Sequence, residues 1–136
     1  MNQVLNNEAL TYLLEFINYS NELGSEAIFI VEGKRDTETL RLLGLTGKIV
    51  EKGQRPFQVL VDLVSEAPTI VILTDFDREG KYLRKAIIKE IQSKKNHGII
   101  DNYARQLLFK LCRAFRITEI EDLDRFAMKI QKGFDP

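Results

Sequence analysis

The chain has 136 residues, 44% of them hydrophobic, with one cysteine, three prolines and no tryptophan. This length suits one compact domain, and the lone Cys112 excludes an internal disulfide and a cysteine-rich zinc site. The net charge is zero, from 20 basic and 20 acidic side chains, so composition by itself does not indicate a nucleic-acid partner.

The charges are nevertheless unevenly distributed. Residues 1–33 contain five glutamates and no lysine or arginine, which gives −5. Residues 34–95 contain 13 basic and 9 acidic side chains, giving +4, and residues 96–136 contain 7 and 6, giving +1. An acidic opening therefore precedes a basic middle, a pattern that an ordinary solvated surface also produces.

The sequence carries no signal for a membrane or for export. No stretch approaches the roughly 20 apolar residues that a membrane span requires. The opening residues also lack the basic-then-apolar pattern of a signal peptide. We therefore expect a cytoplasmic protein with no membrane partner.

Helical and extended patterns alternate along the chain. In order, the patterns predict an N-terminal amphipathic helix at about 6–19, a strand at 27–31, a helix at 34–43 ended by Gly44, a strand at 48–50, a helix opened by Pro56, a strand at 69–73, a helix at about 78–91, a strand at Ile99 and Ile100, a helix capped by Asp101, and a strand at 115–117. Such alternation implies parallel pairing and a three-layer α/β fold with a central, mainly parallel sheet. We expect a single domain over residues 1–136, with a core at about 26–117 and a C-terminal extension at about 118–136.

Acidic residues follow the two strongest predicted strands. Glu32 comes directly after the first strand, and Asp75 and Asp77 come after the other. Ligands in open α/β sheets gather at the carboxyl ends of the strands, so three carboxylates reach one edge. Singly, each is as well explained as a helix cap or a surface residue. Together they repel unless a cation offsets them, and oxygen ligands favour Mg²⁺, with Mn²⁺ as an alternative.

These segments resemble the two motifs of the Toprim family. Residues 30–36, with the sequence IVEGKRD, resemble its first motif, a strand that ends in Glu-Gly. With Thr37 they are similar to the VEGKxDT of ribonucleases that mature 5S ribosomal RNA. Residues 73–80, with the sequence LTDFDREG, resemble the second motif, and are similar to the TDPDREG of type IA topoisomerases. The resemblance covers about residues 26–117 and implies a compact, Rossmann-like Toprim fold.

The resemblance also implies roles for individual residues. Glu32 corresponds to a general acid/base, Asp75 and Asp77 correspond to metal ligands, and Glu79 to a further acidic partner. We therefore expect Glu32, Asp75 and Asp77 to be catalytic and all four to bind metal, with Gly33 and Gly80 as the motif glycines. Phe76 departs from the small residue or proline usual in the family, and we expect its side chain to face away from the metal.

The length of the chain narrows the chemistry. A topoisomerase needs a tyrosine nucleophile on a separate module, and a primase needs further zinc-binding and helicase-binding regions. The activity that we expect is therefore metal-dependent phosphodiester hydrolysis, as in a nuclease or an RNA-processing enzyme. The alternative is a non-catalytic nucleic-acid-binding or assembly module that keeps a metal-dependent Toprim site, within a larger RNA- or DNA-processing complex.

Basic residues near the predicted site favour RNA or DNA as the partner. On the helix that begins at Arg78, basic residues recur at the 3.6-residue period, opposite an apolar face. Others flank Glu32 or lie in the loop after the second strand. The predicted nucleic-acid-binding residues are Lys34, Arg35, Lys52, Arg55, Arg78, Lys81 and Lys85. Such contacts to phosphate give affinity without sequence readout.

Two phosphotransfer classes compete for the motif at Asp75 and Asp77. A haloacid-dehalogenase-type phosphatase places DxDx[TV] after a strand, but residue 79 here is Glu. A response-regulator receiver also uses an aspartate at a strand end, but it does not explain Glu32 and Gly33. The Gly33-Lys34 pair lacks the upstream glycine of a P-loop, which argues against a nucleotide triphosphatase.

Overall fold

The computed structural model describes residues 3–127. Its helices are α1 (Gln3–Glu22), α2 (Lys34–Leu43), α3 (Phe57–Val64), α4 (Arg78–Gln92) and α5 (Tyr103–Ala114). Its strands are β1 (Ala27–Val31), β2 (Lys48–Glu51), β3 (Thr69–Ile72) and β4 (Ile99–Asp101). Short 3₁₀ turns cover Gly24–Glu26 and Ile120–Leu123. Residues 128–136 of the predicted C-terminal extension lie outside the described residues.

The four strands form one parallel sheet in the order β2-β1-β3-β4. Phe29 in β1 pairs with Ile49 on one side and with Val71 on the other. The chain runs from β1 outward to β2 and then returns past β1 to β3. The junction of β1 and β3 is therefore the point where the direction of winding reverses, and in α/β sheets a crevice for ligands opens there.

The sheet is covered on both faces, which confirms the predicted three-layer α/β fold. Side chains alternate along a strand, so Phe29 and Val31 lie in one core while Ile28 and Ile30 lie in the other. The first core includes apolar residues of α1, α2 and α5, and the second includes those of α3 and α4. Because β1 is covered twice, all five of its residues are buried. This explains why it is a continuous apolar run in the sequence.

The ends of α2 follow from local chemistry. Gly44 adopts a left-handed conformation with φ of 113°, and its N–H donates to Arg41 O at 3.0 Å and to Leu40 O at 3.2 Å. A residue with a Cβ is strained in that region, so glycine ends the helix there. The predicted bounds of α2 are confirmed.

The predicted strand at 115–117 is wrong. Phe115 and Arg116 form a turn that closes α5, with Arg116 at a φ of 57°. The N–H of Arg116 donates to Arg113 O and that of Ile117 donates to Cys112 O, both at 3.0 Å. These two bonds cap the helix C-terminus, so they take up the backbone groups that a strand would offer to the sheet. The Phe115 ring stacks on Phe126 at 3.9 Å instead.

Helix α1 packs along α5 over the first face of the sheet. Its Tyr19 hydroxyl donates to Asp101 Oδ1 at the end of β4, and the Tyr19 ring meets the Tyr103 ring at 4.8 Å. The hydrogen bond to Asp101 raises the pKa of Tyr19 to about 12. This contact fastens α1 to the sheet edge. Over residues 3–127, neither α1 nor any other helix is long and apolar enough to cross a membrane.

Replacing Tyr19 with Phe should lower the free energy of unfolding by about 1 kcal/mol, because the variant keeps the ring but loses a hydrogen bond to a carboxylate. Urea denaturation followed by circular dichroism measures this change. Tyr82→Phe is the matched control, since Tyr82 is 73% exposed, and it should leave stability unchanged. Equal midpoints for the two variants would contradict the assigned role of Tyr19.

Candidate metal and nucleic-acid site

The carboxyl ends of β1 and β3 bring Glu32 and Asp75 together. The two strands pair in register, with Ile30 beside Ile72, and Leu73 N donates to Ile30 O at 2.7 Å. Just beyond the strands, the backbone N–H of Asp75 donates to Glu32 Oε2 at 2.7 Å. Residues 43 apart in sequence are thus in direct contact at the sheet edge.

A third carboxylate, Asp36, belongs to this cluster and was not among the predicted site residues. It lies in the first turn of α2, it is buried, and its Oδ2 accepts a hydrogen bond from Gly33 N at 3.1 Å. Burial is the main cause that raises the pKa of Asp36 to about 6, and the negative charges of Glu32 and Glu121 act in the same direction. The available signal was its position four residues after Glu32, at the start of a helix.

Within the cluster, the carboxyl group of Asp75 has the pKa that is shifted furthest from its ordinary value. Burial raises its pKa to about 8, with the negative charges of Asp36 and Glu32 acting in the same direction. The backbone N–H of Ile120 donates to Asp75 Oδ1 at 2.8 Å and partly opposes the increase. Burial is thus the main reason why this carboxyl group keeps its proton to near-neutral pH.

The other two predicted metal ligands lie at the start of α4. Asp77 is the N-cap of this helix, and its Oδ1 accepts a hydrogen bond from Gly80 N at 2.7 Å. One of its oxygens therefore performs the capping role that the sequence offered as the simpler explanation. Glu79 is exposed in the first turn of the same helix.

The loop between β3 and α4 is closed by Gly80 and Thr74. A Cβ at Gly80 would lie 2.1 Å from the carbonyl oxygen of Asp75, so only glycine fits there. The hydroxyl of the buried Thr74 donates to Gly80 O at 2.7 Å. At Gly33, by contrast, a Cβ would meet no atom within 4 Å. The two motif glycines thus differ, and close packing explains Gly80 alone.

Arg105 of α5 holds the same loop from the other side. Its Nη1 donates to Thr74 O at 2.6 Å and to Ile72 O at 3.2 Å, and its Nη2 donates to Asp75 O at 3.1 Å. Burial lowers the pKa of Arg105 to about 10. Three of its hydrogen bonds go to backbone carbonyls and a fourth goes to Thr74 Oγ1 at 3.3 Å, so Arg105 fixes the position of Asp75 through the main chain. No sequence pattern predicted this role.

A second acidic group follows α5. Glu119, Glu121 and Asp122 present carboxylate oxygens within 4.8 Å of one another. The negative charge of Asp122 raises the pKa of Glu119, and Asp77 and Glu32 contribute. The group therefore adds negative charge at the edge where Glu32 lies.

The predicted basic residues lie in the loop after β2 and on α2 and α4, the two helices that begin at this edge. Lys52 and Gly53 donate their N–H groups to Val31 O and Glu32 O, both at 2.8 Å, so the loop after β2 lies beside Glu32. Within that loop Arg55 Nη1 donates to Glu51 O. Lys34 and Arg35 are exposed at the start of α2, and Lys34 lies 3.9 Å from Glu38. The exposed side of α4 carries Arg78, Lys81 and Lys85.

The cluster fits a hard divalent cation. Its donors are carboxylate oxygens, which Mg²⁺ and Mn²⁺ prefer. Glu32, Asp36 and Asp75 are crowded and partly or wholly buried, and the nearby Arg105 is committed to carbonyl oxygens. Uncompensated charge of this kind costs stability unless a proton or a cation neutralises it.

Comparisons with known proteins identify the family and match the fold. The sequence profile described as the Toprim domain matches residues 27–117. The chain is 31% identical to a UPF0292 protein of Thermococcus gammatolerans over 123 residues, covering 90% of this chain and 89% of that protein. It is 39% identical to UPF0292 protein MJ1624 of Methanocaldococcus jannaschii over 82 residues, 59% of this chain and 64% of the relative. A solved structure of a protein from Aquifex aeolicus matches with a TM-score of 0.66 at 21% identity, covering 81% of this chain and 96% of that one.

An α/β fold with carboxylates clustered at the β1/β3 junction is typical of a domain that binds a divalent metal ion and acts on phosphate groups. The chain belongs to the Toprim domain family. Family membership indicates a metal-dependent function related to nucleic acid. It confirms the predicted resemblance.

The two motif glycines should respond differently to substitution. Gly80→Ala should lower the free energy of unfolding by about 1–3 kcal/mol or more, because the added methyl group meets the Asp75 backbone. Gly33→Ala should change it by only about 0.5 kcal/mol, since the backbone there is extended and the space is open. Thermal denaturation of both variants compares the two costs, and an equally tolerated Gly80→Ala would contradict the packing described here.

Stability in metal-free buffer should fall as the pH rises through the site's titration. A carboxyl whose pKa is raised from 3.8 to about 8 holds its proton more tightly in the folded protein. Its stabilising contribution is complete below pH 3.8 and is lost as the pH rises through 8. Asp75→Asn should therefore reduce the fall in melting temperature between pH 4 and 8.

Glu66→Gln is the control for this experiment. Glu66 is exposed and precedes β3 at the opposite edge of the sheet. It should leave the pH dependence of the melting temperature unchanged. Identical pH profiles of the melting temperature for wild type and Asp75→Asn would show that protonation of Asp75 is not coupled to folding.

Proposed function

We propose that the chain is a Mg²⁺-dependent enzyme that hydrolyses nucleic-acid phosphodiesters, as a nuclease or an RNA-processing enzyme. The observation that carries the proposal is the contact between Glu32 and Asp75 within a crowded, partly buried carboxylate cluster. Glu32, Asp75 and Asp77 are the residues to which we assign catalysis and, with Glu79, metal binding. Mn²⁺ is an alternative ion.

When bound, Mg²⁺ supplies positive charge that offsets the negative charge of the scissile phosphate and of the carboxylates. Asp75 and the oxygen of Asp77 that does not cap α4 would hold the ion, and Arg105 fixes the loop that carries both aspartates. Glu32 accepts a hydrogen bond through Oε2, so we assign proton transfer to Oε1. There it takes a proton from the attacking water, whose oxygen forms a new P–O bond while the P–O bond to the leaving oxygen breaks. The leaving oxygen then takes up a proton, from the Glu32 carboxyl or from solvent.

Basic residues support a polyanionic substrate. Lys34 and Arg35 follow the Glu32 motif, Lys52 and Arg55 lie in the neighbouring loop, and α4 extends the positive charge away from the cluster. Positive charge around an acidic metal site lets a phosphate approach a centre that would otherwise repel it. Binding should therefore weaken as the salt concentration rises.

Mg²⁺ at a hundredfold excess over its Kd should raise the melting temperature of the wild type by roughly 5–10 °C, because it binds the folded state. Asp75→Asn should remove this increase and reduce Mg²⁺-dependent cleavage at least about 100-fold, since the metal loses a charged ligand. Differential scanning fluorimetry and gel assays on structured RNA, single-stranded DNA and duplex DNA measure the two effects.

Glu66→Gln removes one carboxylate far from the cluster and should keep both the thermal shift and the cleavage. Cleavage that persists in Asp75→Asn would overturn the assigned mechanism. Metal-dependent binding of nucleic acid by the wild type, without products on any of the three substrates, would identify the chain as a binding or assembly module instead.

A further inference from the structure

A cavity of about 430 Å³ lies between α4 and α5, beside the metal-binding loop. Its wall on α4 includes Lys81, Arg84 and Lys85, and its wall on α5 includes Arg105 and Phe109. Phe76 also lines it, between Asp75 and Asp77 in the sequence. The cavity therefore adjoins the carboxylate cluster through a single residue.

Aromatic rings form one surface of this cavity. Phe76 is 6% exposed, and its ring lies 5.4 Å from that of Phe109 at an angle of 56°. Phe109 is 41% exposed, so part of its ring is open to the solvent. The guanidinium carbon of Arg105 lies 4.5 Å from the centre of the Phe76 ring. The open part of the Phe109 ring is therefore a surface on which a planar group can stack, with the Phe76–Arg105 pair packed behind it.

The cavity is also strongly cationic. Four of its lining residues are basic, and the others are aromatic or neutral amides. Within residues 3–127 the ion pairs are Lys34–Glu38 and Lys94–Asp62, so Lys81 and Lys85 are not neutralised by a carboxylate there. Arg84 donates to the neutral Asn102 side chain. Unpaired cations around an aromatic surface match a ligand with both a phosphate and a flat ring.

We propose that this cavity binds an unpaired nucleotide of a single-stranded nucleic acid, with the base stacked on Phe109 and the flanking phosphates on Lys81, Arg84 and Lys85. A base within a duplex is already stacked on both sides, so a protein ring can take it only from a single strand. The proposal rests on the proposed function, because it names the kind of strand that the same site receives. Charge complementarity selects this occupant over an apolar or a cationic partner.

Fluorescence anisotropy in EDTA, with labelled 12-nucleotide single strands of RNA and DNA, tests the cavity without the metal. Phe109→Leu keeps apolar volume but loses the aromatic face. It should weaken binding of strands that carry bases by about 5- to 100-fold, the usual range for losing one stacked base. Binding of strands that are abasic throughout should change less than twofold. Phe109→Tyr keeps the aromatic face and should bind these strands as tightly as the wild type does.

Two further variants separate phosphate contacts from stacking. Lys85→Gln should weaken binding of normal and abasic strands alike and lower the slope of log Kd against log salt by about 0.7. Tyr82→Ala removes a more exposed aromatic residue of α4 that is not among those lining the cavity, and should leave every affinity unchanged. Circular dichroism verifies that each variant is folded.

Three outcomes would overturn the proposal. These are equal effects of Phe109→Leu on normal and abasic strands, wild-type binding to a blunt duplex that matches or exceeds binding to single strands, and binding of a free mononucleotide or an acidic peptide in preference to a strand. None of them bears on Mg²⁺-dependent cleavage, which is lost in Asp75→Asn if the proposed function is correct. The two proposals can therefore fail separately.

Discussion

The hydrogen bond from the Asp75 backbone to the Glu32 carboxylate is the contact on which the site depends. It exists because β1 and β3 are parallel neighbours in register, so their next residues emerge side by side. Two cores, one on each face, hold that register. The sheet can therefore keep acidic groups close together although they repel, and the free energy of packing offsets the cost.

The loop between β3 and α4, which carries Asp75, is held by several other contacts. Arg105 donates to its carbonyls, and Gly80 packs against its backbone. In the segment after α5, Ile120 N donates to Asp75 Oδ1 and Thr118 O accepts from Phe76 N. A loop held at this many points cannot relax to separate its charges. Such a fixed arrangement is what a metal site requires, because ligands that are already in position need no ordering when the cation binds.

The sequence predicted those features that are encoded locally. β1 and β3 are continuous apolar runs, and Gly44 ends α2, so these elements were predicted to within one residue at either end. The predicted strand at 115–117 was wrong because a Phe-Arg-Ile segment, apolar at alternate positions, also suits a helix cap packed against Phe126. The hydrogen bonds that decide between the two structures run back to carbonyls of α5. Local pattern alone cannot separate these structures.

The candidate site divides in the same way. Glu32 and Asp75 could be placed at one edge because parallel strands align their carboxyl ends, which is a rule of topology. The role of Arg105 could not be predicted, because it is defined by contacts with residues about 30 positions away in the sequence. In the sequence, Arg105 looks like any polar residue next to the apolar face of an amphipathic helix. The acidic residues at 119–122 return to the site only through the fold. Long-range contacts of this kind cannot be predicted from the spacing of residues in a single sequence.

The uneven charge of the chain is visible in the charges of its helices. The exposed glutamates Glu8, Glu15 and Glu22 lie on α1, whereas α4 carries five basic and two acidic residues. The cavity between α4 and α5 is lined by four basic residues and by Phe76, which lies between Asp75 and Asp77 in the sequence. A local excess of positive charge attracts a polyanion before any specific contact forms. A net charge of zero thus conceals a basic region that would draw a nucleic-acid strand toward the loop that carries the carboxylates.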